Sequence, residues 1–380
     1  MRSRDRPAAG ARRHLVTRPV RILHVHSTFT LGGKEARAVR LMNAFGDWAE
    51  HSILSAVPDA LGARDAIDPG IKVDFPADHP PIVGKPAPGR YRDLSRYMRG
   101  FDLVLTYNWG SMDAVGARRL WGGPPLVHHE DGFNQDEVVR QKPARVWFRR
   151  LMLGAAHRVV VPSVRLETIA REVWRQPPYR VVRIANGIDL SRYARNDGRA
   201  APVVGTLAGL RAVKNLPLLV RAFASAQGVG RLVIAGEGPE RAAILAEAER
   251  LGVADRLDLP GFLDPAEAVR RFDIFALSSD SEQQPISLIE AMAAGLPAVS
   301  TDVGDIANMV ADPNLPFIVR GGDAAGLATA LSVLAQDAGL RRFVGDANRD
   351  KALQLFEESK MIDAYRALYA GALNRDKARA

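Results

Sequence analysis

The sequence contains no cysteine, so a disulfide framework, a thiolate metal site and a cysteine nucleophile are all excluded. It also has no apolar run near the ~20 residues that a membrane-spanning helix requires, and no apolar signal-peptide core at its start. These absences set the expectation of a cytoplasmic protein. No internal repeat, dinucleotide-binding fingerprint or Walker motif is visible. His128 and His129 lack a companion cluster at metal-ligand spacing, and neither a metal nor another cofactor is expected.

The chain has 380 residues, of which 47% are hydrophobic and 25% charged. One core rarely serves so long a chain, and two lobes are expected. The net charge of +9 is unevenly placed. Residues 1–18 carry Arg2, Arg4, Arg6, Arg12, Arg13 and Arg18 against Asp5 alone, which is more than half of the excess. That stretch reads as a disordered basic tail, with weak attraction to anionic lipid as the functional alternative. Because the excess sits in a tail and no base-stacking motif accompanies it, no nucleic-acid partner is expected.

From Val20 onward, short apolar runs alternate with helical patterns, the signature of parallel sheets covered by helices. The first series has strands at Arg21–Val25, Ser52–Val57, Leu103–Tyr107, Leu126–His128 and Arg158–Val161, with helices at Lys34–Phe45 and Val164–Trp174. A second has strands at Val203–Leu207, Arg231–Ala235, Leu257–Leu259, Ile274–Leu277 and Ala298–Ser300, with helices near Leu216–Ser225, Pro239–Leu251, Pro265–Phe272 and Ser287–Ala294. The expected division is an N-terminal Rossmann-like domain at 19–190, a polar linker at 191–202 within Asn186–Pro202, a C-terminal Rossmann-like domain at 203–360 and a final helix at 361–380. Two such α/β domains form a cleft beyond the carboxyl ends of their strands.

The strand ends carry the chemistry. Gly32-Gly33 stands directly before a helix, where backbone can approach an anion; a simple turn reads equally well. His128-His129-Glu130-Asp131-Gly132 crowds ionisable groups, either as a functional cluster or as a solvated loop. Arg211 and Lys214 follow the strand at Val203–Leu207 and suit a diphosphate, while Gly236-Glu237-Gly238-Pro239 follows the next strand. Glu282 lies in a loop and Glu290 in the first turns of the following helix, so both can face one cleft and accept hydrogen bonds from a polyhydroxylated ligand. Arg145–Met152 reads as a basic aromatic helix, either packed on its own sheet or docked at a membrane.

Together these motifs resemble glycosyltransferase family 4, retaining enzymes of the two-domain GT-B fold. The resemblance rests chiefly on Glu282 and Glu290 with Glu290-Ala-Met-Ala-Ala-Gly-Leu-Pro297 and Thr301-Asp-Val-Gly304, supported by Gly32-Gly33, Asn186-Gly-Ile-Asp189, Lys214-Asn215 and Gly236-Glu-Gly-Pro239. It implies doubly wound domains facing across a cleft, with a C-terminal helix crossing back to the first. It also implies a nucleotide-sugar donor, UDP-linked ahead of GDP-linked, and a saccharide, lipid-linked or small-molecule acceptor in cell-envelope or exopolysaccharide synthesis. Metal-independent retention of anomeric configuration follows, as does peripheral contact with the inner membrane face for lipid-linked acceptors.

By the same resemblance Glu282 contacts donor-sugar hydroxyls, with Gln283, Pro285 and Ile286 shaping the sugar pocket, and Glu290 meets the ribose. Lys214 neutralises the diphosphate, aided by Gly32, Gly33 and Gly236. Three positions depart from the pattern. Gly209 stands where an arginine is usual, with Arg211 as the substitute; Gln283 replaces a glycine; and Asp131, preceded by His128, occupies the place of a sugar-contacting histidine. A sugar-nucleotide epimerase and a non-catalytic nucleotide-sugar-binding protein are the alternatives.

Overall fold

The structure is a computed structural model that describes residues 18–377 apart from 31, 86, 134–136, 138–140, 196–198 and 200. The basic tail therefore lies outside the described residues except for Arg18, which pairs with Asp102; parts of the 191–202 segment lie outside them too.

The first domain runs β1 (Val20–His26), α1 (Gly33–Phe45), β2 (Ala49–Ser55), β3 (Val73–Asp74), α2 (Pro88–Met98), β4 (Leu103–Tyr107), α3 (Met112–Trp121), β5 (Leu126–His129), α4 (Pro143–Met152), β6 (Arg158–Val161), α5 (Val164–Thr168) and β7 (Val181–Arg183). Its sheet order is β3-β2-β1-β4-β5-β6-β7 with every pairing parallel. The second domain runs β8 (Val203–Leu207), α6 (Leu216–Ser225), β9 (Arg231–Ala235), α7 (Arg241–Arg250), β10 (Leu257–Gly261), α8 (Pro265–Val269), β11 (Ile274–Leu277), α9 (Ile286–Ala293), β12 (Ala298–Thr301), α10 (Ile306–Met309), β13 (Ile318–Val319), α11 (Ala324–Gln336) and α12 (Ala338–Leu355). The order here is β10-β9-β8-β11-β12-β13, again all parallel. Each sheet reverses direction beside its first strand, so the topological switch points, where doubly wound sheets take ligands, lie at β1/β4 and β8/β11.

Strand periodicity divides the first core. Ile22 packs with α1 residues Ala38, Leu41 and Phe45 on one face. Leu23 and Val25 turn to the other, against Leu94, Val115 and Leu153. The last helix, α13 (Glu358–Lys377), belongs to the first domain, where Met361, Tyr365, Tyr369 and Ala372 complete the core around Ile22, Leu105 and Tyr107.

Several expectations change. The helix expected over Val164–Trp174 is α-helical only to Thr168 and continues as a π-turn, Ile169–Val173. The extra residue in that turn carries Trp174 into the core, fully buried, with its indole donating to Gln141 at 2.8 Å. β2 ends at Ser55 rather than Val57, where the Ser55 hydroxyl turns the chain by bonding to Val57 O. The leading part of the Asn186–Pro202 stretch is packed, whereas most of the described residues from 191 on are exposed. Asn186, Ile188, Leu190 and Tyr193 are buried, and Ile188 exchanges backbone hydrogen bonds with Phe356 and Glu358 as the two crossing segments run side by side. Two long helices, α11 and α12, occupy a region with no sequence expectation. α11 reads AAGLATALSVLAQ, with too few polar residues to mark an outer face.

Candidate active site

A cleft of about 420 Å³ opens between the two switch points. From the first domain it is lined by Gly32, Gly33, Lys34, Glu35, Asn108 and Asp131, and from the second by Arg211, Lys214, Glu282, Gln283, Gln284, Pro285, Ile286 and Ser287. Gly33 opens α1 opposite the second domain; a Cβ placed on it would lie 3.7 Å from Ile286 Cδ1. Gly132 and Gly304 press on the loop between β11 and α9. A Cβ on Gly132 would come within 3.1 Å of Gln283 Cγ, and one on Gly304 within 2.2 Å of Glu282 O. A side chain at Gly304 would push the loop backbone aside, and one at Gly132 would crowd the Gln283 side chain.

Charges in the cleft are largely paired. Lys34 holds Glu35. Lys214 holds Glu282, whose Oε1 also accepts from Ser279 Oγ at 2.8 Å. Asp131 takes both arms of the Arg37 guanidinium, one of them at 2.8 Å, while its backbone N–H donates to Asn108 Oδ1 at 2.7 Å. Burial, the largest single influence, would raise the Asp131 pKa, but the Arg37 charge and its hydrogen bonds, with His129 and Lys34, together outweigh it and keep the group below the usual carboxylate range. Arg211 is exposed at the rim and forms no ion pair among the described residues.

Three residues expected in the site, Gly236, Glu290 and His128, do not line this cleft. Gly236 stands behind it, at φ 146°, where a Cβ would fall 2.0 Å from Ala208 O, so its glycine serves the packing of two strand-end loops. Glu290 lies on the same face of α9 as Ile286 and Ser287 but one turn deeper. Its carboxylate accepts from the Tyr193 hydroxyl at 3.1 Å, and burial pushes its pKa up to about 7 against the lowering effect of that hydrogen bond.

The structure corrects the assignment of His128. The side chain is fully buried, its Nδ1 is 2.9 Å from Thr106 Oγ1, and Glu130 and Arg149 close it off from the cleft. His129 and Glu130 are buried as well, so this segment is not a solvated loop. The cause is the chain's path: β5 continues through His129, and Glu130 N still bonds Val160 O of β6. Of the group, Asp131 and Gly132 reach the cleft, and Asp131 brings the only ionisable side chain of the five to do so.

Sequence reasoning missed Arg37, Asn108 and Gln284. For Arg37 a signal exists: it interrupts a helical row that continues as Leu41 and Phe45, and a charge on an apolar stripe demands a buried partner. Asn108 and Gln284 carry no comparable mark.

The pattern of Glycosyltransferase Family 4 matches residues 31–192, and that of Glycosyl transferases group 1 matches 201–337. The chain belongs to glycosyltransferase family 4. Among similar proteins is the N-acetyl-alpha-D-glucosaminyl L-malate synthase of Bacillus anthracis, 26% identical over 60% of this chain and 59% of that protein. A D-inositol 3-phosphate glycosyltransferase of Nocardia farcinica is 27% identical over 72% of this chain and 67% of its own. The chain thus spans about six tenths to two thirds of the length of these relatives. In fold it resembles Anabaena HepE, solved in complex with UDP, with a TM-score of 0.76 at 18% identity over 92% of this chain and 100% of that one. Sucrose-phosphate synthase of Thermosynechococcus elongatus gives 0.74 at 19% over the same shares. The fold is GT-B, two parallel-sheet α/β domains facing across the cleft.

Proposed function

We propose that this protein is a retaining glycosyltransferase that moves a sugar from a nucleotide-sugar, UDP-linked ahead of GDP-linked, to a saccharide, lipid-linked or small-molecule acceptor. The observation that carries the reading is the Lys214–Glu282 couple at the β8/β11 switch point, facing Gly32-Gly33 across the cleft. An incoming diphosphate draws Lys214 away from Glu282 and meets Arg211 and the amides that open α1. The freed Glu282 carboxylate then accepts hydrogen bonds from the sugar, with Gln283, Pro285 and Ile286 forming its pocket, and Glu290 receives the ribose one turn deeper. Asp131, fixed by Arg37, accepts from a sugar hydroxyl on the opposite side.

For retention, the acceptor oxygen attacks the anomeric carbon from the leaving-group side. The carbon–oxygen bond to the diphosphate breaks, and a diphosphate oxygen takes the acceptor proton. The diphosphate charge falls to protein cations, so the reaction proceeds without a metal. HepE, a fold relative, is described with UDP, which supports the UDP preference.

Peripheral membrane contact forms part of the proposal. α4 leaves Trp147 and Leu151 each 59% exposed, one turn apart, and Leu120 on the neighbouring α3 is 54% exposed. Arg150 lies over the Trp147 ring at 4.9 Å. Aromatic and aliphatic groups flanked by arginine suit the headgroup layer of an anionic bilayer.

The first test is thermal unfolding with UDP-, GDP-, ADP- and TDP-sugars, with and without EDTA. A ligand at ~100 times its Kd stabilises the native state by ~2.7 kcal/mol. An EDTA-insensitive upward shift with UDP-sugars is expected; no shift with any nucleotide sugar overturns the proposal. Product analysis separates transfer from epimerisation, which would leave an altered sugar and no glycoside.

A further inference from the structure

Arg37 is charged and almost wholly buried, and such a group persists in a core when its partners are held in place. Two of its hydrogen bonds run to Asp131 and a third, at 3.1 Å, to Asn186 Oδ1. The Tyr365 ring of α13 lies 5.7 Å from the guanidinium carbon. Asn186 passes the connection to the second domain: its Nδ2 donates to Gln284 O at 3.3 Å, and its backbone N–H donates to Gln284 Oε1 at 2.5 Å. Gln284 is buried, and it sits in the loop that carries Glu282.

The order of donors and acceptors gives this chain a direction. A side-chain amide turned by 180° exchanges its oxygen for its NH₂, and the two orientations occupy the same space. Arg37 can only donate. It therefore fixes the Asn186 oxygen toward itself, which leaves the NH₂ facing Gln284 O. On the loop's other flank Asp305 N donates to Gln283 O at 2.9 Å, while the Asp305 carboxylate accepts the Val164 and Arg165 amides of α5 at 2.9 and 3.3 Å. The donor loop is thus gripped by the first domain on both sides.

We infer that Arg37 and Asn186 are positioning residues: the relay Asp131–Arg37–Asn186–Gln284 registers the loop bearing Glu282 against the opposite lip of the cleft. The kinetic consequence rests on the function proposed above, whereas the ordering of the loop does not.

The test is hydrogen exchange on the full chain without nucleotide, comparing wild type with Asn186→Asp and Arg37→Gln. Asn186→Asp keeps acceptors for Arg37 but loses the donor to Gln284 O. Exchange in peptides spanning 282–288 should accelerate about ten-fold, the scale of one hydrogen bond lost, while β11 stays protected. Because Arg37→Gln strands a buried carboxylate, Arg37→Gln/Asp131→Asn serves as the folded control and should loosen the same loop. Affinity for the nucleotide-sugar should fall about ten-fold in Asn186→Asp, with UDP alone held within about two-fold, since the relay acts at the sugar end. Unchanged exchange over 282–288 in Asn186→Asp overturns the relay. A wild type with a protected loop but no affinity for any nucleotide-sugar overturns the functional proposal and leaves the relay standing.

Discussion

Lys214 and Glu282 neutralise each other across the mouth of the second sheet, so the cation proposed to meet a diphosphate already has a partner in the free protein. Substituting either residue therefore has opposite effects on nucleotide affinity. Lys214→Ala should weaken UDP binding by roughly 1.5–3 kcal/mol, the range for a charge-assisted hydrogen bond. Glu282→Gln should leave UDP affinity equal or slightly higher, because Lys214 is released, while transfer drops sharply. Isothermal titration with UDP beside a turnover assay checks both arms.

Glu290 supplies a stability signature. Its folded pKa, raised by burial to about 7, lies above the ordinary value of 4.5. Between these values the folded state holds a proton that the unfolded state has released, so stability declines as pH rises through the window and levels off above it. Glu290→Gln should lack this decline and exceed wild type at pH 8 by on the order of 1–3 kcal/mol. Urea unfolding at pH 5 and pH 8 measures the difference.

Buried histidines act in the opposite sense. Burial lowers His51 to about 4 and His129 to about 3, and it also holds His24 and His26 well below 6.5. The unfolded chain takes up protons near 6.5 before these folded groups do, so stability is lost as pH falls from about 6.5 toward 4. His51→Gln should remove up to about 1.4 kcal/mol per pH unit from that slope. Unfolding midpoints at half-unit steps from pH 7 to 5 check it.

The exposed face of α4 predicts lipid selectivity. Trp147→Ala/Leu151→Ala should reduce co-sedimentation with vesicles containing phosphatidylglycerol at least several-fold, without altering UDP affinity. Pure phosphatidylcholine vesicles should retain neither protein. Equal sedimentation of variant and wild type on the anionic vesicles would remove α4 from the contact.

Parallel strands such as LVLTY, buried at every position, declare themselves as apolar runs, and from them the doubly wound fold follows. Lys214, Glu282 and Gly33 were legible for a related reason: each sits where a strand gives way to a helix, the place where such sheets bind ligands. Contacts between segments far apart in the chain were not legible. Arg37 and Asp131 meet over 94 positions, and Asn186 and Gln284 over 98, and no local period records either pairing. His128 misled because a run of ionisable residues at a strand end looks the same in sequence whether the strand stops before it or continues through His129.

The placement of α13 bears on how the chain is made. Tyr365 and Tyr369 fill the first domain's core, yet they emerge only after the entire second domain has been synthesised. At 5–20 residues per second, the roughly 170 residues separating β7 from α13 take on the order of 10–35 s to translate. For that interval the nascent first domain exposes the apolar face around Ile22, Leu105 and Tyr107 on the ribosome, a standing invitation to holdase chaperones that ends when the last helix docks.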